Sequence, residues 1–359
     1  APPLRWGILG SGGIAAKMTT ALLEGTTQQV VAVGSRDRAR ARAFADRFGI
    51  ERAHGSYPDL VADPGIDAVY VASPHSEHRD HALLAISGGK HVLVEKAFTR
   101  NAAEAREVVA AAEAAGVTCL EAMWSRFLPG YDVIRRSVEE GTLGALRTVS
   151  AALGRRLCPD GPARLSRPEL AGGALLDLGV YPIHLAAMLL PRIEQVSAIG
   201  TLTSLGVDEQ EVVTLRDASG AVASCTASMS ARGPADAVIA GTEARLEVDR
   251  PFYRLTTLRL VDRDDRVVDT WTTTEQDMPL GLRYEAAELA RCVADGRRES
   301  DLLPWAETIR VMELMDRATI NAVEDFSPRG LDRRAGALLV AQSDAPGDAR
   351  TAEIATVEA

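Results

Sequence analysis

The chain of 359 residues has no C-x-x-C pair, no concentrated basic run, no long unbroken apolar stretch and no internal repeat. Its four cysteines, Cys119, Cys158, Cys225 and Cys292, are scattered. That pattern is expected of reduced thiols in a cytoplasmic protein rather than of a disulfide frame or a zinc site, and no metal site is expected. Acidic residues outnumber basic ones by 50 to 40, for a formal net charge of −10. The balance argues against nucleic acid as a partner, so any anionic ligand must be gripped by a local site. The opening Ala1 to Trp6 has no basic segment followed by an apolar one, so no secretion signal is expected. With no apolar run near the ~18 residues a span needs, no membrane partner is expected either.

What is present falls into two blocks. At 46 % hydrophobic and 25 % charged residues the composition is that of an ordinary globular chain, and its length suits two domains. In the first third, apolar runs alternate with helical patterns. Trp6-Gly7-Ile8-Leu9-Gly10 is expected to be a short buried strand that opens through Ser11, Gly12, Gly13 and Ile14 into a helix ending near Leu23. Gly10, Gly12 and Ala15 make a G-x-G-x-x-A pattern in the strand–turn–helix setting that dinucleotide binding requires. The first glycine permits the tight turn, the second lets a pyrophosphate reach the backbone, and the small third residue brings helix and strand close. The helix N-terminus then offers free N–H groups and a partial positive charge.

Further strands are expected at 29–34, 67–72, 91–95 and 117–121, with helices near 77–87 and 101–115. Such alternation implies a parallel, doubly wound sheet whose ligands bind at the carboxyl ends of its strands. Gly10, Ser35, Ser73-Pro74-His75, Glu95 and Lys96 all fall at such ends. The second strand ends in Ser35-Arg36, with Arg40 beyond, where an NAD-selective chain would place Asp or Glu. A guanidinium suits a 2′-phosphate through paired, charge-assisted hydrogen bonds, so NADP(H) is expected ahead of NAD(H). The alternative is that Arg36, Arg38, Arg40 and Arg42 are a solvated helix face. The run His91-Val92-Leu93-Val94 ends in Glu95-Lys96, two charges at the rim of a core, where charges are seldom placed unless paired or used.

From residue 124 the pattern changes. A helix is expected over 129–140. Runs rich in Val, Thr, Ser and Ala follow at 146–154, 194–204, 209–216, 220–231, 237–248 and 253–273, and with the turns Asp217-Ala218-Ser219-Gly220 and Asp262-Arg263-Asp264-Asp265 they imply a large, mostly antiparallel open sheet. The segment 158–168, with three prolines and Gly161, is expected to be a loop able to wall a pocket. Helices are expected at 282–296 and 304–324, with Thr308, Val311, Met312, Met315 and Ile320 as a core stripe. The fold class is therefore α/β: a Rossmann domain over 1–123, an α+β domain for substrate and dimer contacts over 124–325, and a polar tail over 326–359. The stretch Gly172 to His184 stands apart, and a helix there would put Asp177 and Tyr181 on one face.

Together these motifs resemble the Gfo/Idh/MocA oxidoreductases. The resemblance rests on Gly10 to Ala15, on Val71-Ala72-Ser73-Pro74 followed by His78, on Gly88 to Lys96 and on Gly172 to Tyr181, and it runs from about Leu4 to Asp316. Glu121 to Phe127, and Leu282-Arg283-Tyr284-Glu285 with Leu303-Pro304, are most similar to the branch holding dimeric dihydrodiol dehydrogenases and NADP-dependent D-xylose dehydrogenases. The resemblance implies NADP against Gly10, Ser11, Gly12, Gly13, Ile14, Ser35, Arg36, Arg40, Ser73, Pro74, His75, His78, Glu95 and Lys96. It implies a small-molecule substrate against Trp124, Arg126, Phe127, Asp177 and Tyr181, and a homodimer or tetramer built through the C-terminal sheet. Many relatives carry His in place of Tyr181, which disfavours inositol-dehydrogenase and glycosidase-like readings. The family's usual Glu-Lys-Pro is Glu95-Lys96-Ala97 here. A cis bond before a non-proline residue costs ~2.5–4 kcal/mol, so a trans bond or a slightly altered lysine position is expected.

Hydride transfer between a nicotinamide and a carbinol needs a group that moves the hydroxyl proton, and Tyr181 is the candidate acid/base. A phenol titrates near ~10, but an ammonium at ~4 Å would favour phenolate by about 4 kcal/mol at an effective dielectric of ~20. That would lower the phenol pKa by about three before desolvation opposes it. Lys96 is therefore expected to bring Tyr181 into a working range, Asp177 to orient substrate or lysine, and Glu95 to position Lys96 or a cofactor amide. A sugar or polyol reacting at a ring carbon is the expected substrate. A dihydrodiol or dicarbonyl, or a non-catalytic NADP-sensing role, are the alternatives.

Overall fold

Short runs of buried aliphatic residues set the first layer. β1 (Arg5–Leu9), β2 (Gln29–Gly34), β3 (Arg52–His54), β4 (Ala68–Val71), β5 (His91–Glu95) and β6 (Cys119–Ala122) are all parallel. Their order is β3-β2-β1-β4-β5-β6. The order reverses between β1 and β4, which opens a crevice at the carboxyl ends of the strands. The crossovers are α1 (Gly13–Gly25), α2 (Arg38–Phe48), α3 (Tyr57–Val61), α4 (His78–Ser87) and α5 (Ala102–Ala115). Their ends follow from local chemistry: Asp37 accepts from the N–H groups of Ala39 and Arg40 to start α2, Asn101 accepts from Glu104 N–H to start α5, and Gly49 and Gly116 close these helices in the left-handed region. Neither β3 nor α3 is signalled by an apolar period, because each is too short to show one.

This computed structural model describes residues 1–158, 160–254, 257–273 and 280–326; apart from Phe326, the tail expected over 326–359 lies outside them. After α6 (Pro129–Glu139) the chain builds an eight-stranded sheet from β7 (Leu146–Gly154), β8 (Ile193–Leu202), β9 (Asp208–Asp217), β10 (Val222–Ser228), β11 (Ala237–Gly241), β12 (Ala244–Val248), β13 (Thr257–Asp262) and β14 (Val267–Thr272). Its order is β14-β13-β12-β11-β7-β10-β9-β8, antiparallel except where β7 meets β10. The expected run 237–248 is divided by a turn into β11 and β12, and 253–273 divides at the expected turn Asp262-Arg263-Asp264-Asp265 into β13 and β14. One face is packed; the other exposes Ile199, Val222 and Val238 among small polar residues.

α7 (Val180–Leu189), α8 (Arg283–Ala294) and α9 (Trp305–Phe326) complete the fold. Thr308, Val311, Met312, Met315 and Ile320 are all buried in α9, as their spacing implies. α8 departs from the expected division at 124. Its Ala286, Leu289 and Ala290 join Trp6, Met18, Leu22, Leu93 and Leu120 in the core of the six-stranded sheet. The apolar stretch Pro168–Leu189, long enough to cross a membrane by composition, is mostly buried inside the protein. Within it, Leu175–Gly179 forms a π-helical turn rather than ordinary α-helix before α7 begins. All four cysteines are free thiols.

The Lys96–Ala97 bond is cis, correcting the trans expectation. Ala97 is fully buried and its carbonyl lies 2.8 Å from His78 Nδ1, so the surroundings rather than local preference decide the backbone there. His78 Nε2 lies 2.9 Å from the Ser73 carbonyl, so one ring ties the loops after β4 and β5 together. A neutral imidazole can donate to only one of the two carbonyls. Burial nonetheless outweighs both contacts and pushes the imidazole down to about 4. In the unfolded chain it titrates near ~6.5, so its contribution is complete above that pH and is lost as pH falls toward about 4. Denaturant titrations between pH 6.5 and 4.5 should show stability falling by about 1.4 kcal/mol per pH unit for this one group. In His78→Gln that slope should be shallower by one proton's worth; an unchanged slope would refute the assignment.

Candidate functional site

The turn after β1 is built to admit a ligand. Gly10 has φ +106°, and a Cβ there would lie 2.9 Å from the Ala72 carbonyl oxygen, so only glycine fits. Beside Gly12 and Gly13 nothing lies within 4 Å of where a Cβ would stand. Gly12 supplies no side-chain cap to α1, leaving the first-turn N–H groups of the helix for an outside acceptor. The Ser73 hydroxyl, at the end of β4, is buried without a partner among the described residues. A pyrophosphate with its ribose fits these features: it would be held by the turn from Gly10 to Ile14, with Ser73 as a donor. Ser35 is buried after β2, while Arg36 and Arg40 stand exposed beside Tyr57, whose hydroxyl Arg36 contacts. Tyr57 in turn packs edge-on against His81, ring centroids 4.6 Å apart.

Lys96, at the end of β5, meets the π-turn from the second half of the chain. Its ammonium donates to the Asp177 carbonyl at 2.8 Å, lies 3.7 Å from the Asp177 carboxylate, and sits 4.9 Å above the Tyr181 ring. Both partners of the ion pair keep only 13 % of their side-chain surface exposed, so screening there is weak. Arg164 Nη2 donates to the same Asp177 carboxylate at 3.0 Å. These two cations, Lys96 foremost, outweigh burial and hold Asp177 well below the usual carboxylate range. The segment 158–168 thus does wall the site, through Arg164. His75 is buried, its Nδ1 lies 3.1 Å from the Ala171 carbonyl, and burial pushes it down to about 3. Pro74 precedes it in extended conformation.

Tyr181 differs from the expectation. Its hydroxyl accepts from Trp124 Nε1 at 3.3 Å, and its ring stacks on Tyr253 with centroids 4.8 Å apart. Burial first, and the Glu95 carboxyl second, push the phenol well above its ordinary value. Lys96 does not lower it as expected, because the ammonium lies over the ring and is engaged by Asp177. Glu95 points beneath the site: it accepts a short hydrogen bond from the buried Tyr70 hydroxyl and one from its neighbour Lys96 N–H at 3.3 Å, and burial raises it.

Two expected contacts are already occupied. Arg126 is buried, pairs through both terminal nitrogens with Glu307, and donates to the Leu302 carbonyl at 2.8 Å, so it braces α9 instead of facing a substrate. His78 has both ring nitrogens against backbone carbonyls and positions loops instead of offering a hydrogen bond to a nucleotide. Phe127 is buried beside Arg126. Two site residues were missed. Arg164 carried no signal beyond its loop, whereas Phe252-Tyr253 was visible as an aromatic pair in a chain with only six Phe and six Tyr.

Comparison with known proteins agrees with this geometry. The model of the "Oxidoreductase family, NAD-binding Rossmann fold" matches residues 4–123, and that of the "GFO/IDH/MocA C-terminal domain" matches residues 131–247. The chain is 37 % identical to a trans-1,2-dihydrobenzene-1,2-diol dehydrogenase of Danio rerio, over 88 % of this chain and 96 % of that protein. It is 33 % identical to the Homo sapiens enzyme of the same name, over 87 % and 95 %. A 3-ketoreductase from Actinomadura kijaniata, solved with NADP, is 27 % identical with a TM-score of 0.79, over 89 % of this chain and 98 % of that one. A levoglucosan dehydrogenase solved with NADH shares the fold, with a TM-score of 0.81 at 21 % identity, over 90 % and 98 %. With both halves matched and such relatives aligned along most of its length, the chain belongs to the Gfo/Idh/MocA family of NAD(P)-dependent oxidoreductases that act on hydroxyl groups.

Proposed function

We propose that the protein is an NADP(H)-dependent oxidoreductase that moves a hydride between the nicotinamide and a carbinol or carbonyl carbon of a sugar or polyol-like substrate. The observation that carries this reading is the convergence of Lys96, Asp177 and Tyr181 at the carboxyl end of β5, one strand from β4 and two from the open glycine turn after β1. When bound, the nicotinamide supplies or takes up the hydride. The chain's own residues handle charge and proton. Tyr181, kept protonated by burial, is suited to donate its proton to the substrate oxygen as the carbonyl is reduced. In the oxidative direction the phenol must first release its proton to solvent, and the phenolate oxygen then receives the carbinol proton. Lys96 supplies a positive charge for the oxygen that develops charge. Asp177 holds Lys96 in place, and Trp124, Tyr181 and Tyr253 give a ring-shaped substrate aromatic walls.

Arg36 and Arg40, exposed at the end of β2 where Ser35 takes the place of an acidic residue and Asp37 spends its carboxylate on capping α2, support NADP over NAD. The open face of the eight-stranded sheet, with Ile199, Val222 and Val238 exposed, supports a homodimer or tetramer through that surface. A dihydrodiol as substrate is the second reading, favoured by the dehydrogenases named above and by the same aromatic walls.

Tyr181→Phe and Lys96→Met should each lower kcat by about 10²–10⁴-fold while NADPH still binds, read by nicotinamide absorbance and by fluorescence titration. Near-normal turnover in both would sink the assignment. Arg36→Asp should lower the NADP-to-NAD ratio of kcat/KM by about tenfold or more, the loss of one charge-assisted contact. An unmoved ratio would exclude Arg36 as the selector. A panel of sugars, polyols and dihydrodiols with NADP separates the two substrate readings by which class turns over.

A further inference from the structure

The π-turn that meets Lys96 has no cap of its own. Ala174 precedes it and offers no side-chain acceptor to the N–H groups that open the turn. The acceptor comes instead from β9: Asp208 Oδ2 receives Leu175 N–H at 2.5 Å. A carboxylate at the start of a helical segment is favourable in charge as well as in hydrogen bonding. The glycines of the Gly172-to-Gly179 stretch make room for it. Gly173 has φ +124°, and a Cβ there would fall 1.9 Å from Asp208 Oδ1. At the other end of the turn, a Cβ on Gly179 would lie 2.9 Å from Glu211 Oε1. Two carboxyls from one strand therefore lie against the two ends of the turn that carries Asp177, and Asp208 is the one that hydrogen-bonds it.

Glu211 is 6 % exposed, and neither of its oxygens meets a donor among the described residues. As carboxylates, Glu211 and Asp208 could only repel one another. If Glu211 keeps its proton, its hydroxyl donates to Asp208, and both carboxyls are satisfied. Burial and the Asp208 charge both push Glu211 well above the usual carboxylate range, and Asp208 is the one charged group that acts on it; across β8 it faces Gly200, and across β10 Ala227.

We propose that Asp208 and Glu211 are positioning residues for Lys96: sharing one proton, they hold the π-turn whose Asp177 carbonyl and carboxylate fix the lysine ammonium. Its catalytic consequence rests on the reading of Lys96 given above; its structural content does not. When Glu211 ionises at high pH, Asp208 loses its donor, two buried anions repel, and the turn releases Lys96.

The test labels lysines with an acetylating reagent and maps Lys96 by mass spectrometry, alongside kcat and NADPH affinity. In Asp208→Ala, Lys96 should label severalfold faster than in the parent, kcat should fall by about tenfold or more, and NADPH affinity should hold. In Glu211→Gln, whose amide donates to Asp208 at every pH, labelling and kcat should match the parent at neutral pH. Its Lys96 protection should also persist to higher pH than in the parent. That pH difference is the readout if Asp208→Ala does not fold. Unchanged Lys96 labelling in folded Asp208→Ala, or identical alkaline behaviour of Glu211→Gln and the parent, overturns the proposal. Faster labelling with unchanged kcat upholds the positioning and removes Lys96 from the chemistry.

Discussion

A lysine ammonium that is almost out of solvent must find oxygen, and the arrangement around Lys96 answers that requirement. Its three donors are aimed by a strand of one sheet at a turn attached to the other, and the Asp177 backbone carbonyl takes the shortest contact at 2.8 Å. The Asp177 carboxylate and the Tyr181 ring face complete a cage of lone pairs and π-density. Breaking one side of such a buried pair leaves an uncompensated charge, which is worse than having no pair at all. Hence the two halves of the chain are held in register at Lys96 and Asp177, and the crevice at the switch point of the parallel sheet gains its second wall.

Beneath the lysine lie buried carboxyls. Glu95, fully inside, is met by the Tyr70 hydroxyl, and Glu285 from α8 is buried with both oxygens unpartnered among the described residues. Burial, then Glu95 and Glu121, push Glu285 well above its ordinary range. Glu121 lies 3.2 Å from the His184 ring, out of hydrogen-bond alignment. The site is thus layered: cations at the rim, carboxyls below, and a phenol between them that keeps its proton. This layering explains why a lysine close to Tyr181 does not acidify it. Distance alone favours phenolate, but burial and the underlying carboxyl both oppose it.

What the amino-acid order revealed were features whose cause is local. Gly10 is legible because a positive φ against the Ala72 carbonyl can be met only by glycine, and the parallel sheet is legible because strand and helix periods alternate. Asp177 and Tyr181 stand out by the glycines around them and Lys96 by its place at a strand end, whereas their pairing, across 81 residues of chain between Lys96 and Asp177, follows from the family resemblance and the needs of hydride chemistry and not from any local pattern. Nothing local says that Arg126 spends its guanidinium on Glu307, 181 residues away, or that Asp208 caps a turn 33 residues before it. The cis bond at Lys96 runs against the local preference for trans, so the residue types alone do not show it. The hairpin inside 237–248 is hidden because both arms share one composition, whereas the one inside 253–273 is marked by its turn Asp262-Arg263-Asp264-Asp265.

The return of α8 to the six-stranded sheet bears on the order of synthesis. Trp6, Met18, Leu22, Leu93 and Leu120 belong to a core whose last cover, Ala286, Leu289 and Ala290, is translated only after every strand of the other sheet. A nascent chain that stops at β6 carries an apolar flank with no lid. The nucleotide-binding half therefore cannot close its core until every strand of the half that contributes Asp177 has been made.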